Sequence, residues 1–108
     1  MRRGDIVTVA GGVYAGKPRP ALIVQDDRFD ATESLTVCPF TSTEVDAPLL
    51  RMSVTADEQN GLDQDSFLKV DKITTVRRTN TDRVIGRLEA TTLVEFERRL
   101  LVFLGFGT

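Results

Sequence analysis

The chain contains no histidine. That removes the commonest general acid–base, the commonest metal ligand and every Ser–His or Cys–His nucleophile pair. Any catalysis has to run on Arg, Lys, Ser, Thr, Tyr, Asp or Glu. Cysteine occurs once, as Cys38, which excludes an internal disulfide and a cysteine-rich zinc site. No stretch approaches the roughly 20 consecutive apolar residues that cross a bilayer. The charged opening Met1-Arg2-Arg3-Gly4-Asp5 is not followed by the apolar core of a secretion signal. A cytoplasmic single domain over residues 1–108, with no membrane partner, is the expectation. A large excess of one charge is missing too. A net charge of −2 does not by itself mark a nucleic-acid binder. The charge is unevenly spread, however. Residues 1–66 carry 6 basic and 11 acidic groups, and residues 67–108 carry 8 basic and 5 acidic, so a basic patch would have to be local.

What is present is organised around Lys17-Pro18-Arg19-Pro20-Ala21-Leu22-Ile23-Val24-Gln25. The two prolines fix their own φ and push Lys17 and Arg19 into extended conformations. Arg19 is thereby pinned where an apolar strand, residues 21–25, begins. An arginine held there is either an anion-binding group or a charge that solvates a strand end. Upstream, Ile6, Val7 and Val9 read as a first strand, closed by Gly11-Gly12 and a loop carrying Tyr14 and Gly16. A third strand runs over residues 35–40, where Pro39 marks an edge, a bulge or the strand end. Thr41-Ser42-Thr43 follows it, a turn whose hydroxyls ordinarily bond their own backbone. Cys38, within the apolar run, reads as a small buried hydrophobe.

Residues 48–54 alternate as a fourth strand, and Asn60-Gly61 is a strong turn signal. Asp57, Glu58, Asp63 and Asp65 near that turn lack calcium-loop spacing and read as a solvated acidic loop. A long strand is expected over residues 66–76, bent or bulged near Asp71-Lys72. Arg77-Arg78 closes it, and a turn over residues 80–82 leads to a short strand around Val84-Ile85. Leu93, Phe96, Leu100, Phe103 and Leu104 then recur at helical spacing. Thr92 and Glu95 have the pattern of a capping box, and Gly105 that of a C-terminal stop. The apolar final turns predict a helix that is deeply buried or sits at a subunit contact. The architecture expected is mainly β (α+β): five or six strands in an SH3-like small antiparallel barrel, covered by a C-terminal helix.

Three pieces taken together, Arg3-Gly4-Asp5-Ile6-Val7, the Lys-Pro-Arg-Pro strand opening and Phe40-Thr41-Ser42, carry a resemblance. With residues 66–76 and the helix ending Leu104-Gly105-Phe106, the chain resembles the MazF/PemK toxin family along nearly its whole length. The resemblance implies a homodimeric endoribonuclease of a type II toxin–antitoxin system. Such enzymes cut single-stranded RNA without a metal or other cofactor, leaving 2′,3′-cyclic phosphate and 5′-hydroxyl ends. It implies catalytic roles for Arg19 and Thr41, an RNA substrate and a cognate antitoxin whose acidic tail covers the basic groove. Tyr14, Lys17, Ser42 and Arg77 are the accompanying RNA-binding candidates. Tyr14 would stack on a base and Lys17 would contact phosphate. Two rival readings stand beside this one. The first is a gyrase poison like the CcdB family, although this chain lacks tryptophan and ends Leu104-Gly105-Phe106-Gly107-Thr108 instead of in a Trp-Gly-Ile tail. The second is a non-catalytic SH3-like binding module.

Overall fold

The computed structural model describes residues 1–11 and 14–107, with the backbone alone for residues 14–16. Seven strands and one helix follow in chain order. They are β1 (Asp5–Gly11), β2 (Tyr14–Ile23), β3 (Ser34–Thr41), β4 (Arg51–Val54), β5 (Ser66–Lys69), β6 (Thr74–Arg77), β7 (Thr81–Arg87) and α1 (Ala90–Phe103). All pairings are antiparallel, in the order β4-β5-β3-β2-β1-β7, with β6 beside the first half of β3. The expectation of a mainly β chain with a C-terminal helix is met. The sheet, however, is open: among the described residues no ladder joins β4 to β7.

The two-residue period of the strands divides the apolar residues between the two faces of the sheet. Ile6, Leu22, Cys38 and Phe40 point to one face and join Leu68 and the helix residue Phe96 in the larger core. Val7, Val9, Ala21, Ile23, Leu35 and Val37 point to the other and meet Val76 in a second core. Strands buried on both faces carry apolar runs without polar alternation, which is why residues 21–24 and 37–40 read as they do.

The prolines explain how β2 and β3 change partners. Lys17-Pro18-Arg19-Pro20 belongs to β2, so the strand expected from residue 21 begins earlier. Its pairing with β1 is continuous through Val9↔Arg19 and Thr8↔Pro20, whereas β2 meets β3 only over Ala21–Ile23. The proline segment is therefore an edge on the β3 side, where the missing N–H groups are tolerated. Pro39 marks a second such place. β3 bonds β6 through Ser34–Val37 and β5 through Phe40–Thr41. Pro39 falls between the two ladders, with no register shift against β2.

The long strand expected over residues 66–76 is interrupted by a 3-10 turn, Val70–Lys72. The ion pair of Arg51 and Asp71 ties that turn to β4 at 2.7 Å, with both side chains largely buried. Burial alone would raise the Asp71 carboxyl. The Arg51 hydrogen bond and charge outweigh it and hold the carboxyl below its ordinary value of 3.8. A carboxylate depressed in this way contributes stability above its unfolded pKa, and the contribution is lost as pH falls through the lower folded value. Asp71→Asn is accordingly expected to cost about 2 kcal/mol at pH 7. The difference from the parent should shrink below pH 4 in urea titrations run at several pH values.

Cys38 donates to the Lys69 carbonyl at 3.3 Å, and burial pushes its thiol up to about 12. Ellman's reagent at pH 8 should find essentially no reactive thiol in the native protein and one per chain after denaturation.

The helix begins two residues before Thr92, so the expected Thr92–Glu95 capping box does not form. The N-cap is Glu89, without a side-chain capping bond. The C-terminus follows the glycine expectation. Gly105 has φ 86°, its N–H bonds Val102 O at 3.1 Å, and Phe106 N–H bonds Leu101 O at 2.8 Å. This is a Schellman motif. Of the two expectations for the last turns, deep burial is excluded. Leu101, Val102, Phe103 and Leu104 are each about half exposed, and Phe106 is 79% exposed.

Candidate functional site

A cleft of about 550 Å³ opens where five segments converge. β2 contributes Lys17 to Pro20, and the end of β3 contributes Phe40 and Thr41, with Ser42 just beyond. Residues 61–64 with Ser66, residues 83–85 of β7 and Thr8 of β1 complete the lining. The convergence has a simple cause. β2 is central in the sheet, so β3 on one side and β1, followed by β7, on the other carry their ends to the same region.

Arg19 and Thr41, 22 positions apart in sequence, line this cleft together with Lys17 and Ser42. Arg19 is exposed, and among the described residues no carboxylate pairs with it. Its planar fork is thus available to an anion, which it can bind in two places at once. The Thr41 hydroxyl accepts the Thr43 N–H at 3.1 Å. This is the local turn anticipated for Thr41-Ser42-Thr43, and it serves the site: the backbone holds the oxygen, leaving the hydroxyl proton free to donate.

Arg77 is not among the cleft residues. It pairs with Ser34 at the other end of β3, because β6 joins the first half of that strand. Seven residues separate Ser34 from Thr41, a distance of roughly 23 Å along a strand. Within one chain Arg77 therefore lies at the opposite end of β3 from the Arg19 cleft. Its neighbour Arg78 holds the 30–32 carbonyls, donating to Asp30 O at 2.6 Å and Thr32 O at 2.9 Å. The Tyr14 side chain lies outside the described residues.

Sequence reading missed five polar members of the cleft: Thr8, Asp63, Gln64, Ser66 and Arg83. Thr8 sits opposite Pro20 in the β1–β2 ladder, and its buried hydroxyl has no hydrogen-bond partner among the described residues. Strand alternation could have flagged Thr8, a polar residue amid Val7 and Val9. Arg83 had no comparable signal, being one of several arginines in the basic half. With Lys17, Arg19 and Arg83 against Asp63, the cleft is a local basic site on an acidic chain.

A basic cleft holding a free arginine and a positioned hydroxyl suits a phosphodiester, and comparison with known proteins identifies the lineage. Residues 2–104 match the family model described as PemK-like, MazF-like toxin of type II toxin–antitoxin system. The chain belongs to this family. It is 56% identical over 108 residues to a probable endoribonuclease MazF of Mycolicibacterium smegmatis, covering 99% of both chains. Among solved structures it is similar to a mycobacterial endoribonuclease in complex with its cognate antitoxin, with a TM-score of 0.82, 18% identity and coverage of 100% and 98%. The Mycobacterium tuberculosis toxin MazF-mt6 superposes with a TM-score of 0.80 at 24% identity, covering 96% of this chain and 99% of that one. At these identities the structures speak for the fold: the open antiparallel sheet with a terminal helix is the PemK/MazF-like toxin fold.

Proposed function

We propose that residues 1–108 form a cytoplasmic toxin domain that cleaves single-stranded RNA without a metal. The observation that carries this reading is the convergence of Arg19, Lys17, Thr41 and Ser42 in one cleft. These residues come from two separated segments that resemble the family's motif, and the 56% identical relative bears the name endoribonuclease.

In the reaction, the RNA 2′-oxygen attacks the adjacent phosphorus while the bond from phosphorus to the 5′-oxygen breaks. The products are a 2′,3′-cyclic phosphate and a 5′-hydroxyl. The proton leaving the 2′-oxygen is balanced by one reaching the 5′-oxygen, with water as the carrier. Arg19 lies along the non-bridging oxygens and stabilises the charge that builds on them in the phosphorane-like transition state. Thr41 donates a hydrogen bond to the phosphate, Ser42 assists, and Lys17 holds a neighbouring phosphate. No covalent enzyme intermediate is needed. Single-stranded RNA supplies both the nucleophile and unstacked bases for recognition.

The partners follow from the same reading. A cognate antitoxin would bind this chain, as one binds the mycobacterial relative, and an acidic segment would suit the basic cleft. A second copy of the chain would cover the half-exposed apolar end of α1, from Leu101 to Leu104 with Phe106.

The test is incubation of the antitoxin-free protein with a long single-stranded RNA in EDTA. Discrete fragments with 5′-hydroxyl ends are expected. Intact RNA after incubation with a folded protein would overturn the reading and direct attention to a gyrase supercoiling assay.

A further inference from the structure

The part of the cleft lined by residues 61–64 is built differently from the phosphate side. Residues 57–61 form a rigid turn around Asn60, which is 4% exposed. The Asn60 side-chain oxygen accepts the N–H groups of Asp57 and Leu62, both at 3.0 Å, and its amide donates to Thr55 O at 2.9 Å. The turn is also bonded to β7, through Arg87 N–H to Gln59 O at 2.8 Å. Residues that follow such a turn start from a fixed position.

The acidic groups of this loop divide into two kinds. Asp57 accepts the Asn60 N–H at 2.7 Å, and Asp65 accepts the Ala56 N–H at 2.8 Å, so both are engaged in holding the loop. Asp63 and Gln64 are exposed and line the cleft. Among the described residues no hydrogen bond or ion pair engages either side chain. A free carboxylate here weakens the attraction of a basic cleft for a polyanion. That cost is offset if the carboxylate accepts N–H groups from the ligand, and on RNA these belong to the bases.

We infer that Asp63 and Gln64 read the Watson–Crick edge of one unstacked base, selecting a base with an amino group and rejecting uracil. The inference rests on the ribonuclease reading of the same cleft. The chemistry follows from the two side chains. A carboxylate only accepts, while an amide both donates and accepts. Cytosine, adenine and guanine each present an amine or paired N–H donors beside an acceptor, and this matches an acceptor placed beside a donor. Guanine fits best, because its ring N–H and its amine lie side by side and can engage both carboxylate oxygens. Uracil offers one N–H flanked by two carbonyls, which face the carboxylate unfavourably.

Cleavage-site mapping on a randomised single-stranded RNA pool tests this, with the wild type, Asp63→Asn, Gln64→Ala and Glu58→Gln compared. The wild type should disfavour uracil by about tenfold or more at one position of its cut sequence. Asp63→Asn should admit uracil at that position and leave preferences at the others in place. Gln64→Ala should broaden the same position. Glu58→Gln removes the same charge outside the cleft and should leave the profile as it was. A folded Asp63→Asn protein with a wild-type profile at every position overturns the inference while the ribonuclease reading stands. If that variant unfolds in a thermal melt, an unchanged Gln64→Ala profile overturns it instead. Absence of cleavage by the wild type overturns the ribonuclease reading, and this inference with it.

Discussion

Replacing Arg19 with alanine is expected to lower RNA cleavage by about 10³-fold while the protein remains folded, by analogy with the loss of a single charge-stabilising group elsewhere. Two features of the structure separate activity from stability here. The side chain is exposed, and among the described residues it has no ion pair, so its removal should change stability by no more than about 0.5 kcal/mol. The cleft nevertheless loses a planar fork able to hold two phosphate oxygens at once, and Arg83 on β7 is left as the other. Arg19→Lys sharpens the test. It keeps the charge but loses the planar fork, so an intermediate defect of about 10- to 100-fold is expected. The measurement is the initial rate of cleavage of a defined oligonucleotide, with circular dichroism melts run in parallel. An Arg19→Ala protein that cuts at the wild-type rate would remove Arg19 from the mechanism. One that has unfolded would make it structural.

The second large effect is expected from a substitution that changes no charge. Gly61 and Gly86 meet where the 57–61 turn lies against β7. A Cβ on Gly86 would fall 2.3 Å from both the carbonyl carbon and oxygen of Asn60, and one on Gly61 would approach the Ile85 carbonyl oxygen to 2.0 Å. These neighbours are backbone and cannot rotate away. Gly61 also has φ +70°, which adds strain for any other residue. Gly86→Ala must therefore push the loop off the strand, at a cost of about 3 kcal/mol. In a chain of this size that corresponds to a drop of roughly 10–20 °C in Tm. Because Gly61 and β7 line the cleft, cleavage should fall together with stability, unlike the pattern for Arg19. A Gly86→Ala protein that melts within about 2 °C of the parent would show that the loop has room the structure does not indicate.

The inventory of chemistry is settled before folding. Without histidine, the chain is left with lysine, arginine and hydroxyl groups to bind phosphate, and no tertiary arrangement changes that. The sequence by itself also determined the apolar runs of β1 to β3, the helical face around Phe96 and the Gly105 stop, because each rests on local periodicity or on one residue's conformational freedom. The order of Arg-Pro and Phe-Thr-Ser further allowed Arg19 and Thr41 to be paired by resemblance.

Tertiary structure decided the rest, because it depends on which strand edges meet. Lys17-Pro18-Arg19-Pro20 carries two residues that cannot donate to a ladder, yet it is strand, since β1 offers it a partner on one side only. Arg77 has the same charge as Arg19 but lies at the far end of β3, because β6 and β5 divide that strand between them at Pro39. Asp63 looks like its acidic neighbours in sequence. In the folded loop Asp57 accepts from Asn60 and Asp65 from Ala56, while Asp63 is left to line the cleft. Local preference sets what each residue can do. Long-range strand pairing sets which residues can act together.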